Sequence, residues 1–235
     1  MRVTALGTGD ALCGGGRGST AWLVDDERGT YCVDFGPTAL LALRKLGRRP
    51  EQIDAVVFTH LHGDHFAGWP FLLLASADRR RPLLAVGPAG TRERLTALWS
   101  ISYADTAERE LPFEARVSEV QPGESLDLLG RKLTAFRARH MGPRHTALSV
   151  RVDGVAFSGD TGVIAEGLCD GARLLCCECT EARPGNPKHL DWETLQASLP
   201  DVPLVLVGHL GEEARLAARS QGRLRVCDDL DSVEL

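Results

Sequence analysis

The sequence predicts an α/β sandwich in which helices cover stacked sheets. Two observations carry that expectation. Short β-branched or apolar runs, each closed by Gly, Asp or Pro, recur at 3–6, 21–24, 31–33, 55–58, 83–86, 133–136, 147–152, 155–157, 174–177 and 204–207, and these read as strands. Between some of them, apolar residues fall at helical spacing over 38–46, 91–99, 192–198 and 212–219. Thr38 and Thr91, which follow Pro37 and Gly90, are the expected N-caps. No repeat, low-complexity tract or linker interrupts the series, so a single domain over 1–235 is expected.

With 235 residues, 43% hydrophobic and 25% charged, the chain has the proportions of a globular protein. A chain of this size buries roughly 70–75% of its unfolded surface and needs no disulfide or metal staple to fold. A net charge of −5 argues against a general polyanion binder. The one basic run, Arg79-Arg80-Arg81, reads as a solvated loop before Pro82. No segment approaches the roughly 20 apolar residues that span a bilayer, and the N-terminus lacks a signal-peptide pattern; a cytoplasmic protein without a membrane partner is expected. The seven cysteines, Cys13, Cys32, Cys169, Cys176, Cys177, Cys179 and Cys227, form no even framework and read as reduced thiols. Three of them lie in 174–180, read as a buried strand of small hydrophobes; a thiolate metal site is the alternative, at a spacing wrong for paired CxxC knuckles.

The decisive segment follows the strand at 55–58: Thr59-His60-Leu61-His62-Gly63-Asp64-His65. Imidazole nitrogens and carboxylate oxygens are the ligands that a borderline divalent ion such as zinc takes. Alternation at a strand end points His60 and His62 the same way. Gly63 lets the chain turn tightly, and Asp64 and His65 beyond it reach a second position. One short loop can thus serve two ions about 3.5–4 Å apart, provided that other ligands converge on it. His140, His209 and Asp160 each end an apparent strand and are the further ligands expected; Asp160 as a turn former in 158–162 is the alternative.

Taken in order, Leu6-Gly7-Thr8-Gly9, Val33-Asp34-Phe35-Gly36, the H-x-H-x-D-H loop, Val86-Gly87-Pro88-Ala89-Gly90, His140, Ser158-Gly159-Asp160-Thr161-Gly162, Glu178-Cys179-Thr180 and Gly208-His209-Leu210 make the chain resemble the metallo-β-lactamase-fold hydrolases, in their ribonuclease Z-like and phosphodiesterase-like branch. That resemblance implies a four-layer αββα sandwich, two mixed sheets flanked by helices, with a binuclear site. Carried over, His60, His62 and His140 hold one ion, Asp64, His65 and His209 the other, and Asp160 bridges them. Asp34 resembles the family aspartate that braces the metal loop, with a strand-ending turn as the alternative. His145, five residues after His140, is a rim residue or an alternative ligand. His189 sits where related enzymes carry a catalytic histidine, but Leu190 and Asp191 follow it, so a proton donor and a solvated loop histidine both remain open.

Two divalent ions, zinc first and manganese or iron as alternatives, lower the pKa of a bound water toward about 7 and neutralise charge on an attacked phosphoryl or carbonyl oxygen. Metal-bound hydroxide attack on a small phosphodiester is the first expectation, with Asp64 or Asp160 orienting the hydroxide and His189 protonating the leaving oxygen. A lactone, thioester or carboxylic ester hydrolase of the same fold is the second, and a non-catalytic metal-containing metabolite-binding protein the third. The backbone amides after Gly90 are a candidate anion site, though a plain helix start is preferred. Phe66, Trp69, Phe71 and Trp99 line a pocket or pack in the core. The partners expected are a small-molecule substrate and no tRNA or other nucleic acid, because a basic patch and space for a protruding arm between His140 and Asp160 are both missing. A homodimer is left open.

Overall fold

Two mixed seven-stranded sheets stack face to face in the computed structural model, which describes residues 1–235. The chain first lays down β1 (Arg2–Gly7), β2 (Ala21–Asp26), β3 (Gly29–Val33), β4 (Ala55–Val57), β5 (Leu83–Gly87) and β6 (Ala115–Glu119). It then builds β7 (Ser125–Leu128), β8 (Arg131–Arg137), β9 (Leu148–Val152), β10 (Val155–Phe157), β11 (Leu174–Glu178), β12 (Leu204–Gly208) and β13 (Leu224–Val226), and returns to the first sheet with β14 (Ser232–Glu234). The strand orders are β14-β1-β2-β3-β4-β5-β6 and β13-β12-β11-β10-β9-β8-β7. Helices α1 (Ala39–Lys45), α2 (Gly63–Phe66), α3 (Trp69–Ala75), α4 (Thr91–Ser102) and α5 (Ala104–Ala107) belong to the first half, α6 (Trp192–Ala197) and α7 (Glu212–Ala217) to the second.

Period-2 alternation explains why the central strands read as unbroken apolar runs: both of their faces are buried. Tyr31 and Val33 of β3 and Ala55 and Val57 of β4 meet Val155, Phe157, Leu174 and Cys176 of the second sheet between the layers. The alternate residues Cys32 and Val56 face Leu43 of α1, Leu72 of α3, and Leu95 and Trp99 of α4. Ala156, Leu175 and Cys177 face Trp192 and Leu195 of α6 and Ala214 of α7. The expected αββα layering is therefore present, and Cys176, Cys177 and Cys179 are buried free thiols packed as hydrophobes.

Several expectations need correction. Four strands have no counterpart in the sequence reading: β6, β14, β7 and β13, which are the four sheet edges. Thr91 is not an N-cap but the first helical residue of α4; its hydroxyl donates to the Pro88 carbonyl at 2.6 Å. Thr38 holds the N-cap position of α1 yet makes no capping bond, because its Oγ1 accepts from the Ser19 amide at 2.9 Å. The side-chain cap is at α6, where Asp191 accepts from the Thr194 amide at 2.8 Å. The basic run is not wholly solvated: Arg79 is 1% exposed, lies against the Phe113 ring, and donates to the Ile53 and Pro82 carbonyls. No helix is long and apolar enough to cross a membrane.

Candidate metal centre

The site residues follow the ends of central strands in both sheets. Asp34 comes directly after β3, His60 shortly after β4, His140 after β8, Asp160 after β10 and His209 directly after β12. Local backbone chemistry aims them. Gly159, at φ 54, turns the chain where a Cβ would lie 2.6 Å from the Leu148 carbonyl, and this delivers Asp160. Asp34 and His209 are non-glycine residues in the left-handed region, at φ 61 and φ 50, a conformation that persists where the surroundings over-determine it. Gly63, expected to turn the loop, has no positive φ; it opens α2 instead, and that single turn of helix presents Asp64 and His65.

Seven ligand-type side chains converge. His62 Nδ1 lies 3.0 Å from both His60 Nε2 and His140 Nε2. His65 Nε2 lies 3.1 Å from Asp64 Oδ2, 3.3 Å from Asp160 Oδ1 and 3.3 Å from His209 Nε2. Asp160 stands between the groups, with Oδ1 3.3 Å from His209 Nε2 and Oδ2 3.8 Å from both His60 Nε2 and His140 Nε2. Ligand atoms around a tetrahedral ion at about 2.0–2.2 Å are about 3.3–3.6 Å apart, close to this spacing.

Hydrogen positions decide whether these atoms could instead bond one another. Thr59 Oγ1 donates to Asp34 Oδ2 at 2.8 Å, so it accepts from His60 Nδ1–H at 3.1 Å. His65 Nδ1–H donates to Asp34 Oδ2 at 2.7 Å. His140 Nδ1–H donates to the Lys188 carbonyl at 3.1 Å. Thr180 Oγ1 donates to Glu178 Oε2 at 2.8 Å and accepts from His209 Nδ1–H at 2.8 Å. Each neutral ring is thereby fixed in the tautomer that aims an unprotonated Nε2 inward. With His65 and His209 neutral, four acceptors (His65 Nε2, His209 Nε2, Asp64 Oδ2 and Asp160 Oδ1) face one another with no hydrogen between them, and in the absence of a cation protons on the two imidazoles take its place. Asp160 Oδ1 is buried without a hydrogen-bond partner. A buried acceptor left in that state is costly, and a cation is what satisfies it; the residues present fit the divalent metal that the fold implies.

Electrostatics divides the two groups. Burial opposes charge on His65 and His209, but Asp160 with Asp34 raises His65 well above the usual imidazole range, and Asp160 with Asp64 raises His209 to about 9. Against burial, His209 and His65 hold Asp160 and Asp64 well below the carboxylate range. On the other side burial dominates, lowering His60 strongly and His140 to about 4. The three-histidine group thus presents neutral lone pairs. The carboxylate-bearing group holds compensated negative charge.

The remaining predicted residues sort clearly. Asp34 is a brace, its Oδ1 also accepting from the Thr59 amide at 2.8 Å. His145 is exposed on the loop beyond His140 and joins no ligand group. His189 is not a solvated loop residue: it stacks on His209 with ring centroids 5.7 Å apart, and its Nδ1 lies 3.0 Å from Glu178 Oε1. Burial opposes its charge, but Glu178 outweighs this and raises its pKa. Within its sequence motif Glu178 carries no expected role. Its signal was a carboxylate ending an otherwise apolar strand; it also accepts from the Thr161 amide at 2.7 Å and the Thr180 amide at 3.0 Å. The start of α4 is no free anion site, because the Arg92 amide donates to Glu119 Oε1 at 3.0 Å. Trp69 and Trp99 are core residues, whereas Phe71 is 41% exposed.

A sandwich of this layering with a His/Asp cluster across its strand ends defines a metallo-hydrolase class of fold. The chain belongs to the metallo-beta-lactamase superfamily, whose family model matches residues 14–209. It is 36% identical over 143 residues to ribonuclease Z of Lachnoclostridium phytofermentans, an alignment covering 60% of this chain and 45% of the relative. The chain thus matches about half the length of the curated relatives it resembles. Among solved structures it resembles a diphosphatase of the PhnP family, with TM-score 0.81, 16% identity, and coverage of 100% of this chain and 97% of that one. It also resembles the short form of human tRNase Z, with TM-score 0.80, 24% identity, and coverage of 100% and 99%.

These relatives overturn the expectation that no tRNA or other nucleic acid is a partner, since ribonucleases and a tRNase stand among them. The physical error lay in the charge argument. A net charge averages over the molecule, whereas contact with phosphates is local. Beside the candidate centre, Arg137, Arg139, Arg144 and Lys188 surround His140 in sequence or in space.

Proposed function

We propose that this chain is a metal-dependent hydrolase of phosphodiester bonds, with RNA as its leading substrate class. The observation that carries the reading is the set of inward lone pairs fixed by outer hydrogen bonds, with Asp160 Oδ1 left unpartnered between them. His60, His62 and His140 would hold one divalent ion, Asp64, His65 and His209 a second, and Asp160 would lie between. Zinc suits this nitrogen and oxygen set; manganese and iron are the competing ions. Such a pair supplies a nucleophile at neutral pH and neutralises charge developing on the attacked phosphoryl group. Asp64 and Asp160, held ionised, orient the nucleophile. His189 keeps its Nδ1–H on Glu178, which leaves Nε2 to deliver a proton to the leaving oxygen. Relatives named ribonuclease Z support the RNA assignment. The chain is read as one domain, supported by the pairing of β1 with β14, Arg2 opposite Glu234.

A smaller phosphodiester is the second reading, favoured by the ten-residue connection 138–147 between β8 and β9, which builds no arm over the mouth. The test is a substrate panel on metal-loaded protein: a 3′-extended RNA, bis(p-nitrophenyl) phosphate, a lactone and a thioester. Turnover of the phosphodiesters is expected. Ester turnover without phosphodiester turnover would overturn the proposal.

A further inference from the structure

Beyond the cluster, the mouth of the site is electrically lopsided. On the His140 side, the segment 137–145 carries Arg137, Arg139, Arg144 and His145 and no carboxylate. A cavity of about 390 Å³ there is lined by Arg137, Arg139, Met141, Pro143 and His145, among others. Arg137 and Arg139 are both exposed, and Arg139 reaches the same 187–188 segment that accepts from His140, with Pro187 its partner and Lys188 that of His140. Arg139 is already oriented: its amide donates to Thr161 Oγ1 at 3.0 Å and its Nε to the Pro187 carbonyl at 3.2 Å. Its two terminal nitrogens have no partner within the protein, and neither Arg137 nor Arg139 forms an ion pair. On the His209 side, a cavity of about 560 Å³ beyond Thr180 is lined by Asp10, Glu181, Glu212 and Glu213. One flank attracts phosphate and the other repels it.

We infer that the β8–β9 loop binds a second phosphate of the substrate, next to the scissile one, and so fixes which way the substrate lies across the site. This rests on the phosphodiesterase reading and adds its polarity. A guanidinium with Nε fixed and two terminal nitrogens free suits the bidentate geometry of phosphate, and the acidic flank excludes the reversed pose. The second phosphate comes either from the next link of a polynucleotide, a monoanionic diester, or from a terminal phosphate on a small substrate, a dianionic monoester, and both present at least two anionic non-bridging oxygens to the guanidinium.

Binding to the metal-loaded full chain tests this without turnover. One arm compares a nucleoside 3′-monophosphate with the 3′,5′-bisphosphate. The other compares a dinucleotide with a trinucleotide, both with phosphorothioate links that resist hydrolysis. A second phosphate should tighten Kd by about tenfold in at least one arm, the effect of one charge-assisted hydrogen bond, and the arm that responds names the source. The double substitution Arg137→Gln with Arg139→Gln should erase the gain, and Arg139→Glu should make the second phosphate unfavourable. A gain that survives both variants, or no gain in either arm, overturns the inference. Hydrolysis is scored separately in the substrate panel, so a chain that shows this binding pattern yet cleaves no phosphodiester refutes the activity and not the anion site.

Discussion

Asp34→Asn tests the outer hydrogen bond that prepares His65, while Thr59 Oγ1, which also donates to Oδ2, keeps the other oxygen as an acceptor at 3.1 Å. Asparagine tolerates the left-handed backbone, so the φ of 61 survives the change. Its remaining oxygen can still accept from the Thr59 amide, now at 2.8 Å. What changes is the other atom: an NH2 replaces Oδ2 and faces His65 Nδ1, now 2.7 Å away. Donor then meets donor, and the imidazole relieves the clash by moving its proton to Nε2, which removes the lone pair from the centre. Loss of such an outer-shell partner weakens metal affinity about 10- to 100-fold, or roughly 1.4–2.8 kcal/mol. Chelator competition on wild type and variant measures it, with thermal melting of the metal-free forms as the folding control. Affinity within about threefold of wild type at both metal positions would refute the reasoning that Asp34 sets the tautomer of His65.

Three further outcomes follow from the same geometry. Asp160→Ala removes the carboxylate shared by both groups, so bound metal measured by elemental analysis should fall from two ions per chain to one or none. His189→Ala should lower kcat by about 10²–10⁴-fold on a substrate with an alkoxide leaving group and far less on p-nitrophenyl esters, whose leaving group needs no proton; equal losses on both would exclude the donor role. Arg131→Met strips the buried one of two guanidinium partners from Asp26, whose carboxylate is 11% exposed, while Arg28 Nη2 stays at 3.3 Å; the loss should cost about 1.5–3 kcal/mol at neutral pH, the range of one hydrogen bond to a charged group. Burial works to raise the Asp26 pKa, but the Arg131 bond outweighs it and the net shift is downward. Its stabilisation is therefore complete above the unfolded value of about 3.9 and is lost as pH falls through the lower folded value. Denaturant unfolding should show the gap between wild type and Arg131→Met narrowing below about pH 4.

How much was legible in the sequence depended on burial. Strands buried on both faces, such as Leu174–Glu178, announced themselves as apolar runs. The edge strands Ala115–Glu119 and Ser232–Glu234 expose most of their residues, and their pairing comes from a neighbour's backbone rather than from side-chain pattern. Arg79 misled for a related reason: a basic residue beside a proline looks solvated, and only the fold supplies the carbonyls that it caps. The histidine loop was readable because its ligands are close in sequence. Convergence with His140, Asp160 and His209 was an inference from strand ends, and the role of Glu178 could not be seen until β11 placed it 3.0 Å from His189. Asp64 and His65 reach their positions by a different route from the one expected, through the single turn of α2 rather than a glycine turn.

Anomalous diffraction from crystals grown with zinc, collected on both sides of the metal edge, bears most directly on the centre. Two peaks should appear about 3.5–4 Å apart, one within bonding distance of His60, His62 and His140 and the other of Asp64, His65 and His209, with Asp160 between them. A single peak elsewhere on the surface, or no peak in this cluster at saturating metal, would contradict the account.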